Sequence, residues 1–233
     1  MDVSTVHLSR RELEQIAQPV VEQYKQYCVP QHHLCYNVDP TRLAEQLGYK
    51  VEYSYLTQDG SILGQTASVP LWTVVINTTL GETCYYLDGK TILVEKRLLC
   101  NPQAKGCRNF TIAHEVAHLI LNQRYPAMYE TKCRHFCFHR KMVKKKVHDW
   151  CEWQADTLAV ALLLPPDAIE ESMFMFGLGS KMKVLSKKYS QFRYEQFCEM
   201  ARFLGASKTT LAYRMEQLGL LDRNCLIQEA RRR

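Results

Sequence analysis

Residues 109–123 read NFTIAHEVAHLILNQ, an apolar run that contains the pattern His-Glu-x-x-His. Its apolar residues recur at helical spacing and predict an α-helix. Positions four apart lie on the same side of a helix, so the imidazoles of His114 and His118 can reach one cation. Glu115 lies beside them, where it can take a proton from a water bound to that cation. The structural alternative is a buried helix with two hydrogen-bonded histidines.

The next helical run supplies a third ligand. A catalytic zinc ion needs three protein ligands and one open position. Residues 148–164 read HDWCEWQADTLAVALLL and offer Glu152 and Asp156, four apart on one face. We predict Glu152 as the ligand, because a carboxylate among apolar neighbours is costly to bury unless it is paired or metal-bound. Asp156 is predicted to accept a hydrogen bond from a ligand imidazole and fix its tautomer. A solvated Glu152 is the alternative.

The two runs together resemble the ImmA/IrrE family of metallopeptidases, whose signature is FTxAHExxH, a gap, and ExxA(N/D)xFAxxLLxP. The matching residues are Phe110, Thr111, Ala113, His114, Glu115, His118, Glu152, Ala155, Asp156, Ala159, Leu162, Leu163 and Pro165. Leu158 stands where the family usually has Phe, which is a conservative core change. The resemblance implies a zinc peptidase with Glu152 as third ligand. It also implies a protein substrate, often a helix-turn-helix repressor of a phage or mobile element.

The gap between the two motifs is longer than the family's usual spacing and holds a Cys/His/Lys-rich insert at 124–147. A second, structural zinc ion could be held by Cys133, Cys137, His148 and Cys151. One alternative is a loop whose cysteines are core residues or free thiols. Another is a thiol or metal sensor that gates the site. The lysines and arginines of the insert form either a solvated face or a surface for an acidic partner.

Composition sets the class of protein. Hydrophobic residues make up 46% and charged residues 23%, which excludes a disordered chain. The N-terminus lacks the apolar core of a signal peptide, and no apolar run reaches the roughly 18 residues of a membrane span. We therefore predict a cytoplasmic protein whose ten cysteines stay reduced. The net charge of +6 permits a nucleic-acid partner without requiring one.

The predicted fold class is α+β, with a small antiparallel sheet, a helical zincin-like core and a C-terminal helix-turn-helix-like segment. Strand-forming residues concentrate at 50–56, 70–77 and 84–94, and Asp88-Gly89 predicts a two-residue hairpin. A later helix is predicted from about Ser180. The predicted domains are an N-terminal helical segment (1–38), a metallopeptidase domain with the insert (39–176), and a C-terminal helix-turn-helix-like segment with a basic tail (177–233).

Residues 197–218 have features of a helix-turn-helix, with Gly205 at the turn and Ser207 as the cap of the second helix. Lys208, Thr209, Thr210 and Arg214 would then face DNA. The alternative is a helical hairpin packed on the peptidase domain, which the weak basic surplus favours.

Two functions follow from these patterns. The first is a zinc-dependent endopeptidase, which gives Glu115 a use as general base. The second is a DNA- or partner-binding regulator that retains the zinc site without peptidase turnover.

Overall fold

A computed structural model describes residues 7–28, 37–126, 134–138 and 150–225. Its helices are α1 (Arg10–Cys28), α2 (Pro40–Gln46), α3 (Arg97–Cys100), α4 (Lys105–Arg124), α5 (Trp150–Leu163), α6 (Pro166–Met175), α7 (Gln191–Phe203) and α8 (Lys208–Gln217). Its strands are β1 (Lys50–Ser54), β2 (Ile62–Ala67), β3 (Leu71–Asn77), β4 (Gly81–Leu87), β5 (Thr91–Glu95), β6 (Arg134–Phe138), β7 (Met182–Leu185) and β8 (Leu221–Asn224). The predicted α+β class is confirmed.

Four strands form one sheet in the order β1-β5-β2-β6. β2 is antiparallel to both of its neighbours, whereas β1 and β5 run parallel. β3 and β4 form a separate antiparallel hairpin, and buried residues from it join β2 and β5 in a small apolar cluster. In these two sheets the pairing is therefore mainly antiparallel, as predicted, but β1 and β5 form a parallel pair that the sequence did not indicate.

The prediction that Asp88-Gly89 connects a hairpin is wrong. A tight turn does form there, because the Asp88 carboxylate accepts a hydrogen bond from Lys90 N at 2.8 Å and Gly89 has a φ of 79°. The strands on either side of it, however, belong to different sheets. All five residues of β5 are buried, so its backbone needs hydrogen-bond partners on both edges. β1 and β2 provide them, and β4 pairs with β3 instead.

Helix α4 lies between the sheet and α5, and every residue from Thr111 to Leu121 is buried. Helix α1 packs on α5. Ahead of α1, Leu8 N donates a 2.7 Å hydrogen bond to Oε1 of Gln154, which is fully buried in the first half of α5. The start of α1 is thereby tied to the helix that carries Glu152 and Asp156.

The helix predicted from about Ser180 is instead strand β7. Met182 pairs with Leu221 in a parallel two-stranded sheet, and Met182 N donates to Leu220 O at 2.9 Å. The two strands lie on either side of α7 and α8 along the chain. A pairing between such distant segments leaves no local pattern in the sequence, which is why the prediction was wrong.

The turn between α7 and α8 has the local structure predicted for it. Gly205 has a φ of 65°, and Ser207 Oγ accepts a hydrogen bond from Thr210 N at 3.1 Å. This turn packs on the start of α4, where Asn109 Nδ2 donates to Gly205 O at 2.9 Å. A Cβ added at Gly106 would lie only 2.5 Å from Ser207 N, so the two backbones are in close contact.

Arg214, which was predicted to face DNA, is 1% exposed. Its guanidinium donates to both carboxylate oxygens of Glu14 on α1 and, through Nε, to Leu164 O at 3.0 Å. The prediction for Arg214 is wrong, because this buried side chain joins α8 to α1 and to the residue that follows α5. A DNA-reading helix-turn-helix is not confirmed. The turn between the two helices packs on α4, as the alternative of a packed helical hairpin predicts.

The division into three predicted domains stays a prediction, and the basic tail lies outside the described residues. Among the helices that are described, none combines the length and the apolar character needed to cross a membrane.

Candidate metal centre

The structure brings together the two histidines of α4 and one carboxylate of α5. The Nε2 atoms of His114 and His118 lie 3.0 Å apart. Glu152 Oε2 lies 3.2 Å from His114 Nε2, and Glu152 Oε1 lies 3.4 Å from His118 Nε2. One ligand atom from each residue therefore falls within 4.8 Å of the other two.

These separations fit a zinc ion. Three corners of a tetrahedron with metal–ligand bonds of about 2.0–2.1 Å are separated by about 3.3 Å, close to the distances between these donors. Two imidazole nitrogens that face each other at 3.0 Å also need a proton or a cation between them, because their lone pairs repel. Two nitrogens and one carboxylate oxygen are a donor set that zinc accepts in catalytic sites.

Asp156 occupies the supporting position predicted for it. Its Oδ1 lies 3.0 Å from Nδ1 of His114, which directs the Nε2 of that ring towards the other donors. Burial by itself lowers the pKa of His114, but the hydrogen bonds to Asp156 and Glu152 outweigh it and raise the pKa to about 10. The surroundings of this ring therefore stabilise positive charge, whether a proton or a metal ion supplies it.

The other two donors are in the ionisation states that bind metals. Burial is the largest influence on His118 and lowers its pKa, which keeps the imidazole neutral. Burial raises the pKa of Glu152, but hydrogen bonds to both imidazoles outweigh it and hold the pKa well below its ordinary value. The Glu152 side chain is 39% exposed, whereas His118 is fully buried. Solvent thus reaches the donors from the side of α5.

Glu115 is buried on α4 and lies outside the donor group. Its carboxylate faces the sheet, because a Cβ added at Gly64 of β2 would lie 2.8 Å from Glu115 Oε1. Glu115 follows His114 directly on α4, and its charge helps to raise the pKa of that imidazole. Its role as general base stays a prediction.

The predicted second zinc site is not described by the structure. Cys133 and His148 lie outside the described residues. Cys137 lies on β6, where its backbone is paired with Gly64, and Cys151 is buried at the start of α5. The second zinc ion stays a prediction.

Two residues near the site were missed by the sequence analysis. Gly64 lies on β2, a strand that was not predicted, and Gln154 ties α1 to α5. An isolated glycine in a strand often marks a close backbone approach, so the run ILGQTA at 62–67 did contain a signal for Gly64. No local pattern distinguishes Gln154 from a solvated helix residue.

A cavity of about 800 Å³ lies elsewhere, between α1, the Pro165-Pro166 corner and α8. None of the three donor residues lines it, and among the described residues no group of His, Cys, Asp and Glu side chains at this cavity is close enough together to hold a metal ion. The candidate centre is therefore identified by its chemistry and not by the size of a cavity.

A His-Glu-x-x-His helix beneath a sheet, with a carboxylate from the following helix, defines a protein of the metallopeptidase type. A family model described as the IrrE N-terminal-like domain, Peptidase M78, matches residues 73–216, more than half of the chain. The chain belongs to this family, the ImmA/IrrE family that its two motifs resemble. No curated protein matches the chain.

Replacing Asp156 with Ala is expected to weaken zinc binding by about 10–100-fold, the usual effect of removing a group that orients a ligand. The loss follows because Nδ1 of His114 would no longer have a carboxylate to fix its tautomer. Competition with a zinc-sensitive dye measures the affinity. Asp156→Asn, which keeps an acceptor oxygen, should lose less. Unchanged affinity in the alanine variant would contradict the role assigned to Asp156.

Proposed function

We propose that the protein is a zinc-dependent endopeptidase of the cytoplasm that regulates by cleaving one specific protein. The observation that carries the proposal is the triangle of donors from His114, His118 and Glu152 with Glu115 beside it. Glu115 does not belong to the donor group, so metal binding alone gives its carboxylate no role as a ligand. A peptidase needs such a carboxylate, because a water must lose a proton before it attacks a carbonyl.

His114, His118 and Glu152 would hold the zinc ion. When bound there, zinc would supply Lewis acidity that lowers the pKa of a water and polarises the scissile carbonyl. Glu115 takes the proton of the attacking water and returns it to the leaving amine. Asp156 keeps the His114 ring in the ligating tautomer. Gly64 of β2 lies against the Glu115 carboxylate, which is fully buried.

The substrate we propose is a transcriptional repressor of the helix-turn-helix kind, such as one from a phage or mobile element. Support for this choice comes from the family resemblance and not from the geometry of the site. The competing proposal of a DNA-binding regulator receives less support, because Arg214 is buried against Glu14 and the turn before α8 packs on α4.

Zinc content per chain tests the proposal first. We expect one zinc ion per chain in the wild type. Glu152→Ala removes a ligand, so its zinc affinity should fall by more than the roughly 10–100-fold that follows the loss of a group hydrogen-bonded to a ligand. Most of its zinc should therefore be lost on dialysis. Elemental analysis after dialysis measures it. Glu171→Ala is the matched control, because Glu171 is an exposed carboxylate on the next helix. An absence of zinc in the wild type, even after dialysis against zinc, would overturn the proposal.

A further inference from the structure

Gly64 of β2 lies where the sheet meets α4. A Cβ at this position would lie 2.6 Å from Thr111 Cγ2, 2.8 Å from Glu115 Oε1 and 3.2 Å from Glu115 Cγ. Gly64 is not among the glycines with positive φ, so its backbone conformation is open to other residues. What excludes a side chain here is space, which is occupied by the Thr111 methyl group and the Glu115 side chain.

β2 cannot easily move away from α4. It is hydrogen-bonded to β5 on one edge and to β6 on the other. Its pairing with β6 shifts register between Ile62 and Gly64. Such irregularities occur next to active sites, where they change the direction of the strand and of its side chains. β2 is therefore a fixed surface, and the Glu115 carboxylate fits against it because residue 64 has no side chain.

We infer that Gly64 is a positioning residue for Glu115: its lack of a side chain lets the Glu115 carboxylate lie against β2 beside the donor group. The inference rests on the proposed function, since it assigns Glu115 a place from which it acts as base. A methyl group at residue 64 would push the carboxylate out of this place. We expect the three metal ligands to stay where they are, because the three atoms nearest to the added Cβ belong to Thr111 and Glu115.

The competing explanation is that Gly64 serves only the packing of α4 on β2. Thr111 separates the two explanations, because its Cγ2 atom is the nearest obstacle to a Cβ at residue 64. Thr111→Ser removes that methyl group and keeps the hydroxyl that donates to Cys107 O at 3.0 Å. In the double variant G64A/T111S the conflict with Thr111 is relieved, while the conflict with Glu115 remains.

Gly64→Ala, Thr111→Ser, the double variant and Glu115→Gln are prepared with Co²⁺ in place of zinc. The visible spectrum of cobalt reports on groups next to the metal. We expect the cobalt spectrum of T111S to match that of the wild type. The spectra of G64A/T111S and of E115Q should both differ from it. In parallel preparations with zinc, the zinc content per chain should stay at the wild-type level in each variant. The urea midpoint should fall in G64A and recover in part in the double variant, where the conflict with Thr111 is relieved and the conflict with Glu115 remains.

Gly106→Ala is the matched control for lost packing, because its Cβ would meet the backbone of Ser207, far along α4 from Glu115. It should lower the urea midpoint and leave the cobalt spectrum unchanged. A wild-type spectrum in G64A/T111S would overturn the inference. A wild-type spectrum in E115Q would count instead against the proposed function, because it would place Glu115 out of reach of the metal.

Discussion

Glu115→Gln is expected to abolish peptide hydrolysis while leaving one zinc ion bound. The amide has almost the same shape as the carboxylate and fits the same space against Gly64. The amide cannot accept the proton of the attacking water. The rate of hydrolysis should therefore fall by roughly 10²–10⁴-fold or more, the factor that general-base catalysis contributes. His114, His118 and Glu152 are unchanged, so the zinc content should be unchanged.

The measurement pairs zinc analysis with mass spectrometry of a helix-turn-helix repressor, or of casein, incubated with each variant. Glu171→Gln makes the same chemical change at an exposed site and should behave as the wild type. Undiminished cleavage by E115Q would contradict the proposed mechanism. An E115Q variant that lacks cleavage but keeps full regulatory function in cells would favour a binding regulator that retains the metal.

The candidate site could be predicted largely from the sequence because its key relations are local. The pattern at residues 109–123 places His114 and His118 on one helix face, and the same helical spacing places Glu152 four residues before Asp156. The structure adds the distances that make these four residues one group. Gly64 belongs to the site through the crossing of β2 over α4, a contact between distant segments that residue spacing does not encode.

The strands show the same limit on prediction. β2 is buried along almost its whole length, so it lacks the alternation of polar and apolar residues that marks a half-exposed strand. The sequence predicts a helix where β7 forms, because the parallel partner of β7 is β8, which lies beyond two intervening helices. The hairpin assigned to Asp88-Gly89 had the right turn residues but the wrong partners. The turn at Asp88-Gly89 was predictable from its local residues, whereas the strands β2 and β7 and the pairing of the strands were not.

Arg214→Met is expected to lower the free energy of unfolding by about 3 kcal/mol, at the low end of what breaking a buried ion pair costs. The guanidinium is 1% exposed and donates to Glu14 Oε2 at 2.9 Å and to Leu164 O at 3.0 Å. Methionine fills most of the volume but donates to neither. The low end is chosen because the Glu14 side chain is 31% exposed and can recover part of its hydration.

Urea unfolding of Arg214→Met, Glu14→Gln and the double variant measures the coupling between the two side chains. The double variant should cost less than the sum of the single variants, because both single changes disrupt the same interaction. Arg202→Met is the matched control, since Arg202 is 71% exposed and its pairing with Glu199 should contribute less than about 1 kcal/mol. If Arg214→Met cost no more than Arg202→Met, Arg214 would not be a structural residue. Such a result would favour the hypothesis that α8 contacts DNA, because an arginine without a structural role is available to contact phosphates.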